Sequence, residues 1–408
     1  MGEMKLLLNG QRKACGKGAS LTDFEPDKAG SVREYHRKFR EYAPTPLLPL
    51  PNLAKSLGLG NIFVKDESKR FGLNAFKVLG GSYAIGRIVA DRLGLPFDNL
   101  DVEKLRAGGF DREIGDIAFA TATDGNHGRG VAWTARQFRR KAHVFMPKGS
   151  AQIRAQNIRS AGAECVITDF NYDDAVRFAN REAEKNGWIM VQDTAWDGYE
   201  DIPRWIMQGY ITLAAEALDQ LRDFGVEVPS HLFLQAGVGS FAGAALGFFA
   251  AALGNKLPRT VIVEPDKADC VFRSLSAADG KAHNVTGDLA TIMAGLACGE
   301  PSTISWGVLR DYAAAGISCA DFLAANGMRI LAAPLPGDPA ITSGESGAVS
   351  CGVLERICSV PWLDVVRAAL DLTPDSTVLL VSTEGDTSPD MYRDIVWRGR
   401  YPATERES

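Results

Sequence analysis

The sequence predicts an α/β protein in which helices cover both faces of parallel sheets. Three observations lead to this prediction. β-rich and helical segments alternate between residues 116 and 192, glycine-rich turns connect strands to helices, and a chain of 408 residues is long enough to bury a large core. We therefore expect two lobes rather than one small domain.

The residues before this alternation predict an N-terminal arm and the start of the larger lobe. Residues 1–43 are polar and mixed, with helical character near 32–42, and a proline-punctuated extended stretch covers 43–51. The elements predicted after it are a short helix at 52–57, a strand at 61–67 and a helix at 82–93.

The alternating region and the second half of the chain repeat one strand–helix mode. The alternating strands are predicted at 116–122, 142–146, 164–168 and 188–192, and the helices between them at 129–140, 151–161 and 173–186. The second half adds a long helix at 202–224, strands at 231–235, 260–265 and 377–382, and a buried helix that ends near 253. This order is typical of parallel sheets with crossover helices.

The composition argues against several classes of function. The net charge is −5 and Lys and Arg are dispersed, so nothing favours nucleic acid as a partner. The apolar run at 232–253 is broken by glycines and contains Gln235 and Ser240, so we expect a strand, a turn and a helix rather than a membrane span. The seven cysteines are scattered without a C-x-x-C pair, which indicates no metal site. With no signal peptide in evidence, we expect a cytoplasmic protein.

Lys77 is the first candidate for chemistry. It lies between Phe76 and Val78 and is followed by Gly80 and Gly81. An apolar surround disfavours the ammonium form, so we expect a lowered pKa and a lysine that can act as a base or form a Schiff base with an aldehyde cofactor. The alternative is a lysine that begins a helix and only packs its aliphatic stem on the core.

A glycine turn between a strand and a helix is the second candidate, at Gly237–Gly243. Backbone amides at a helix N-terminus bind phosphate, and missing side chains allow close approach. The same residues also satisfy the dinucleotide fingerprint, with Glu264 at the end of the next strand, so a nicotinamide-dependent oxidoreductase is an alternative. A third interpretation is a tight strand–helix crossing that needs small residues.

Further candidates follow the ends of other predicted strands, where open α/β sheets bind ligands. Asp124 can act as a general acid or base and Asn126 can bind a ligand oxygen, although either can simply cap the next helix. For His127 we expect a role in fixing the loop. The remaining polar candidates are Asp193, Glu345, Ser382 and Thr383.

In combination, these motifs resemble those of the fold-type II pyridoxal-phosphate enzymes, such as threonine dehydratases and cysteine synthases. Lys77 resembles their cofactor-binding lysine, and Gly125-Asn126-His127 resembles their asparagine loop. The resemblance implies two doubly wound lobes with the active site between them, a larger one of residues 1–87 and 192–408 and an inserted one of 88–191. The cofactor-binding residues that it implies are Lys77, Asn126, Gly237, Val238, Gly239, Ser240, Phe241, Gly243, Glu345, Ser382 and Thr383.

Within that family the chain resembles the diaminopropionate ammonia-lyases. Asp124 stands where dehydratases usually carry a serine, and the stretches Asn74–Lys77 and Gln192–Trp196 match the lyase pattern. The resemblance implies elimination of ammonia from 2,3-diaminopropionate to give pyruvate, with Lys77, Asp124 and Asp193 as catalytic residues. It also implies a homodimer that binds a small amino-acid substrate.

Three alternatives stay open at this point. A serine or threonine dehydratase shares every motif but does not need Asp124 and Asp193. A nicotinamide-dependent oxidoreductase is supported only by the glycine turn and Glu264, and it leaves the Lys77 stretch unexplained. A non-catalytic protein would bind a phosphorylated ligand without turning it over.

Overall fold

The structure, a computed structural model, describes residues 3–403 and contains two β-sheets. Its strands are β1 (Met4–Leu8), β2 (Leu47–Pro49), β3 (Asn61–Asp66), β4 (Ala118–Ala122), β5 (Lys141–Met146), β6 (Glu164–Ile167), β7 (Ile189–Met190), β8 (His231–Gln235), β9 (Arg259–Pro265), β10 (Ala315–Cys319) and β11 (Thr377–Ser382). The larger sheet has the order β1-β10-β9-β8-β11-β3-β2, and the smaller one has the order β6-β5-β4-β7.

The helices fill the connections between these strands. They are α1 (Pro26–Arg37), α2 (Pro51–Ser56), α3 (Val78–Leu93), α4 (Val102–Arg106), α5 (Asp111–Ile114), α6 (Asn126–Gln137), α7 (Gln152–Ser160), α8 (Tyr172–Asn186), α9 (Asp201–Asp223), α10 (Ser240–Leu253), α11 (Cys270–Ala277), α12 (Thr303–Tyr312), α13 (Asp321–Ala332), α14 (Glu345–Ser359), α15 (Asp364–Ala369) and α16 (Pro389–Val396).

Both faces of the larger sheet are buried, which explains why its strands are continuously apolar. Leu379 and Val381 of β11 face one hydrophobic cluster, together with α3, α9 and α10. Val378 and Leu380 face a second cluster, with α13 and α14. Side chains alternate between the two faces of a strand, so a strand buried on both sides loses the polar positions of a half-exposed one. The predicted parallel sheet with helices on both faces is confirmed.

The edges of the larger sheet differ from the prediction. Its five central strands pair in parallel, but β1 pairs antiparallel with β10 and β2 pairs antiparallel with β3. The first residues are therefore an edge strand and not only a polar arm. The helix expected at 32–42 lies earlier, at α1, because Pro26 starts it. The strand expected at 188–192 is only the two-residue β7.

All four strands of the smaller sheet lie within the predicted inserted lobe, 88–191, and pair in parallel. The exact boundaries of that lobe stay a prediction. No helix among residues 3–403 is long and apolar enough to cross a membrane. Within the same residues, no group of three or more His, Cys, Asp and Glu side chains is arranged to hold a metal ion.

A fully buried ionic cluster anchors the segment that leads to Lys77. Glu216 of α9 accepts hydrogen bonds from Lys65 Nζ of β3 at 2.8 Å and from Arg70 Nη2 at 2.7 Å. Arg70 also bonds Glu67 through Nε and Nη2, at 2.8 Å each. Burial opposes ionisation of Glu216, but Arg70 and Lys65 outweigh it and hold its pKa well below the usual range. Two cations and two carboxylates therefore balance in the core.

We expect the substitution Glu216→Gln to lower the free energy of unfolding by about 3–5 kcal/mol, because it leaves the Lys65 and Arg70 cations with one carboxylate in a buried site. Denaturant-induced unfolding followed by circular dichroism measures the change. Asp219→Asn on the same helix is the matched control, since Asp219 is 51% exposed in its pair with Arg33. That exposed pair should contribute about 0–1 kcal/mol. Equal effects of the two substitutions would contradict the prediction.

Candidate active site

A cavity lies between the two sheets, next to the carboxyl ends of their strands. This is where open α/β sheets bind ligands. Of the residues predicted from the sequence, Lys77, Asn126, Asp193, the 237–241 turn and Thr383 line it. The other lining residues are Phe76, Tyr172, Tyr210, Gln235, Ala236, Gly295, Leu296, Cys298, Ser346 and Glu384. Asp124 and Glu345 line an adjoining cavity instead, together with Arg154.

Lys77 immediately precedes α3, and its amine points at carboxylates. Nζ donates a hydrogen bond of 2.7 Å to Asp193 Oδ2 and lies 4.0 Å from Asp124 Oδ1. Burial lowers the pKa of Lys77, but Asp193 and Asp124 outweigh it and raise the pKa above its usual range. The prediction of a lowered pKa, made from the apolar sequence neighbours, is therefore wrong. In this structure Lys77 is an ammonium ion held by two carboxylates.

Asp193 is a buried carboxylate that follows β7. Its second oxygen, Oδ1, accepts from Tyr172 OH at 3.4 Å and from Gln192 Nε2 at 3.3 Å. Burial favours the neutral acid, yet the positive charge of Lys77 and the neighbouring His127 ring outweigh it and lower the pKa of Asp193 to about 2. Asp193 is therefore ionised at neutral pH.

His127 belongs to the first turn of α6 and is fully buried. Its Nε2 lies 2.7 Å from Val191 O, so Nε2 carries the proton and donates it. Its Nδ1 has no hydrogen-bond partner and lies 3.9 Å from Asp193 Oδ2. Burial lowers the pKa of His127, although the neighbouring Asp193 carboxylate opposes this shift. These contacts fit the predicted role of His127 in fixing the loop.

Asp124 stands at the end of β4 with its two oxygens directed at different cations. Oδ1 is the atom 4.0 Å from Lys77 Nζ, and Oδ2 accepts a hydrogen bond of 3.1 Å from Arg154 Nη1. The residue is 8% exposed. A carboxylate so placed can take or give a proton beside Lys77.

Asn126 starts α6 and contacts the opposite lobe. Its Nδ2 donates a short hydrogen bond to Oε2 of Glu384, which follows β11, and Thr387 Oγ1 donates to the same oxygen at 3.2 Å. The other oxygen of Glu384, Oε1, is buried without a hydrogen-bond partner. The Asn126 loop and the end of β11 therefore meet across the cavity.

The glycine turn connects β8 to α10 at the other end of the cavity. Gly239 has a φ of +91°, and a Cβ built on it would lie 2.7 Å from Leu309 Cδ1 and 2.9 Å from Ser305 Oγ. Only glycine fits such a position. Ser240 then begins α10, and its Oγ donates to Asp193 O at 2.6 Å. The turn thus brings the amides of the helix N-terminus, which lack partners inside the helix, to the cavity that contains Lys77.

Four other predicted residues lie near this turn or across from it. Thr383 Oγ1 accepts from Gln235 Nε2 at 3.0 Å inside the cavity. Ser382 lies behind it, where its Oγ donates to Ser343 Oγ at 2.7 Å. Gly243 packs within α10 against Ser305. Glu345 lies at the start of α14, with Oε2 4.0 Å from Arg154 Nη2.

Sequence reasoning missed several polar residues of this region. Arg154, Glu384, Tyr172 and Gln235 were not candidates, although each contacts a candidate or lines the cavity. A signal was available for Glu384, because it follows Thr383 directly at a strand end. No local pattern singles out Arg154 in α7, because its partners come from distant parts of the chain.

Glu264 does not fit a dinucleotide site. Its Oε1 accepts from Val271 N at 2.9 Å and its Oε2 accepts from Phe272 N at 2.6 Å, so both oxygens bind the first turn of α11. The side chain is fully buried, and burial raises the pKa of Glu264. A ribose-binding carboxylate must instead face the ligand. Glu264 therefore no longer supports the oxidoreductase alternative, which keeps only the glycine turn in its favour.

Comparison of the sequence with models of protein families identifies the family of this chain. The model of the pyridoxal-phosphate dependent enzymes matches residues 38–357. The chain belongs to this family. The cavity fits the family's cofactor, because Lys77, whose amine can bond an aldehyde, and the glycine turn, whose amides are donors of the kind that a phosphate needs, line it together.

Individual relatives point to one group within the family. The diaminopropionate ammonia-lyase of Salmonella typhimurium is 53% identical over 398 residues, which are 97% of this chain and 98% of that protein. The diaminopropionate ammonia-lyase of Escherichia coli (strain K12) is 51% identical over 379 residues, 93% of each chain. A crystal structure of the Escherichia coli enzyme in complex with D-serine has a TM-score of 0.92 at 47% identity and covers 98% of both chains.

These similarities confirm the predicted resemblance, the fold-type II architecture and pyridoxal phosphate as the cofactor. The chain is therefore an enzyme of the pyridoxal-phosphate family, and its similarity to the ammonia-lyases extends over nearly its full length. The roles of the individual site residues stay predictions.

Proposed function

We propose that the protein catalyses the α,β-elimination of D- or L-2,3-diaminopropionate to pyruvate and two molecules of ammonia. One observation in this structure supports the proposal independently of the relatives' names. Two ionisable carboxyl groups, Asp124 and Asp193, lie at 4.0 Å and 2.7 Å from Lys77 Nζ. A dehydratase that expels hydroxide does not need this arrangement, whereas an enzyme that handles a second amino group does.

The glycine turn and the N-terminus of α10 bind the cofactor phosphate in this proposal. The residues that contribute are Gly237, Val238, Gly239, Ser240 and Phe241, with Gly243 packing the helix behind them. In the proposal Asn126 and Thr383, which line the cavity, contact the cofactor ring, Ser382 supports Thr383 from behind, and Glu345 acts from the adjoining cavity. The bound cofactor supplies an electron sink for the carbanion at the substrate Cα.

Lys77 and Asp124 move protons at the substrate Cα. In the proposal Lys77 would hold the cofactor through Nζ, and as a neutral amine it takes the Cα proton of the L isomer. Asp124 Oδ1 takes that proton from the D isomer. The two groups are 4.0 Å apart, so one bound substrate can lie within reach of both.

Departure of the β-amino group needs a proton as well. An amine is a poor leaving group until it is protonated, and a neighbouring carboxyl group can deliver that proton while the Cβ–N bond breaks. For the D isomer, Asp124 is placed to return in this step the proton that it took from Cα, and Asp193 is placed to hold a substrate ammonium by a charge-assisted hydrogen bond. Water then releases the second ammonia, and pyruvate remains.

We further propose that the enzyme is a cytoplasmic homodimer, as the family resemblance implies. The inserted lobe, residues 88–191, is proposed to move against the larger one and to exclude water during the reaction. Two contacts support this proposal, because they join the two lobes directly. Asn126 bonds Glu384, and Arg154 bonds Ser388.

We expect the enzyme to release pyruvate from diaminopropionate much faster than from L-serine, and 2-oxobutanoate from L-threonine only slowly. The two aspartates are the physical reason, because they match a second ammonium group that the hydroxy amino acids lack. The measurement is product release from each substrate with the cofactor-loaded enzyme. The control is free pyridoxal phosphate with each substrate. Faster turnover of L-serine or L-threonine would favour the dehydratase alternative and remove the roles of Asp124 and Asp193.

A further inference from the structure

Arg154 spans the junction between the two lobes beside the proposed base. It lies in the first turn of α7, and its side chain is 6% exposed. Nη1 donates to Asp124 Oδ2 at 3.1 Å, Nε donates to Ser388 Oγ at 3.0 Å, and Nη2 lies 4.0 Å from Glu345 Oε2. The planar guanidinium thus contacts Asp124 of its own lobe and two residues of the other lobe with three different nitrogens.

The charges around Arg154 explain why a cation is needed there. Asp124, Glu345 and Glu384 are all buried near it. Burial lowers the pKa of Arg154, but Glu384, Asp124 and Glu345 together outweigh it and raise the pKa. Burial also raises the pKa of Glu345 to about 7, with Glu384 adding to the shift and Arg154 opposing it. A permanent positive charge at this point offsets repulsion between carboxylates.

We propose that Arg154 is a positioning residue for Asp124. The hydrogen bond from Arg154 holds Asp124 Oδ2. Asp124 Oδ1 therefore points toward Lys77 Nζ, the side on which the proposed substrate lies. The bond to Ser388 ties this orientation to the contact between the two lobes. This inference rests on the proposed function, because it assigns Arg154 to the residue that takes the proton from the D isomer.

A different role for Arg154 has a different kinetic signature. An arginine that bound the substrate carboxylate would act on both isomers, and its loss would raise KM for both. An arginine that positions Asp124 acts on the step that Asp124 performs, and its loss lowers kcat for the D isomer selectively. Small displacements of a catalytic group are sufficient, since a shift of about 1 Å can cost about 10²-fold in rate.

The test measures kcat and KM of Arg154→Gln for D- and L-diaminopropionate. We expect kcat for the D isomer to fall by about 10- to 100-fold while kcat for the L isomer changes less than about threefold. The absorbance spectrum of the bound cofactor should stay unchanged. Arg154→Lys should give a smaller loss of the same selectivity, because lysine keeps the charge but not the fork of donors. If the glutamine variant does not fold, the kinetics of the lysine variant serve as the test.

Arg159→Gln is the matched control. Arg159 lies on the same helix and is exposed, and its side chain hydrogen-bonds only Cys165 O among the contacts described, so the kcat ratio of this variant for the two isomers should equal that of the wild type. In the Asp124→Asn background, Arg154→Gln should cause no further loss of D-isomer turnover. An equal loss for both isomers, a rise in both KM values or an unchanged ratio would overturn the inference. If the wild type itself does not consume diaminopropionate, the proposed function fails instead.

Discussion

Replacing Lys77 with glutamine should reduce pyruvate release from both isomers of diaminopropionate by about 10³-fold or more. Lys77 is the amine of the proposed cofactor cavity, with Nζ 2.7 Å from Asp193 Oδ2 and 4.0 Å from Asp124 Oδ1. Glutamine cannot form a bond with an aldehyde cofactor or take a proton at neutral pH. The measurement is product release together with the absorbance spectrum after cofactor addition, which should lack the band of the lysine-bound cofactor.

The variant Lys77→Arg separates the amine chemistry of Lys77 from its charge. Arginine keeps a cation near Asp193, so the protein should fold with little loss of stability, but a guanidinium that does not deprotonate cannot serve as the base. We expect its turnover to fall as far as that of the glutamine variant. Retention of more than about a tenth of wild-type turnover by either folded variant would contradict the role of Lys77.

The elements that position this site follow from local sequence. β8 and β11 were predicted at the bounds that the structure has, because both faces of the sheet are buried and each strand is a continuous apolar run between turns. The glycine turn was predicted from its glycines between a strand and a helix, and the structure shows why they stand there, since a positive φ and close packing at Gly239 leave glycine as the fitting residue.

The features that were missed depend on contacts between distant residues. Arg154 bonds residues that are 30 and 234 positions away in the chain. The pKa of Lys77 was predicted in the wrong direction because its sequence neighbours are apolar, whereas the carboxylate that it bonds is 116 positions away. β10, which was also missed, pairs with β1 and β9 to complete the sheet. Its small residues carry little periodicity of their own.

The substitution Asp124→Asn is expected to separate the two isomers. Turnover of the D isomer should fall by about 10²-fold or more, because an amide cannot accept the Cα proton. Turnover of the L isomer should fall much less, because in the proposed mechanism Lys77 takes that proton. The amide keeps the shape of the carboxyl group, and its oxygen can still accept the hydrogen bond that Arg154 donates to Asp124. The loss should therefore reflect proton transfer rather than a displaced loop. Initial rates with each pure isomer measure it.

Asp193→Asn is the control for this experiment, because it shows the effect of removing a carboxylate that bonds Lys77 directly. Asp193 bonds Lys77 Nζ directly, so its loss should lower the turnover of both isomers and disturb the cofactor spectrum. Asp124 touches Lys77 only at 4.0 Å, so its loss should leave that spectrum intact. If Asp124→Asn lowered both isomers equally, the proton acceptor for the D isomer would have to be another group. Asp124 would then be confined to protonating the departing amine, a step that both isomers share.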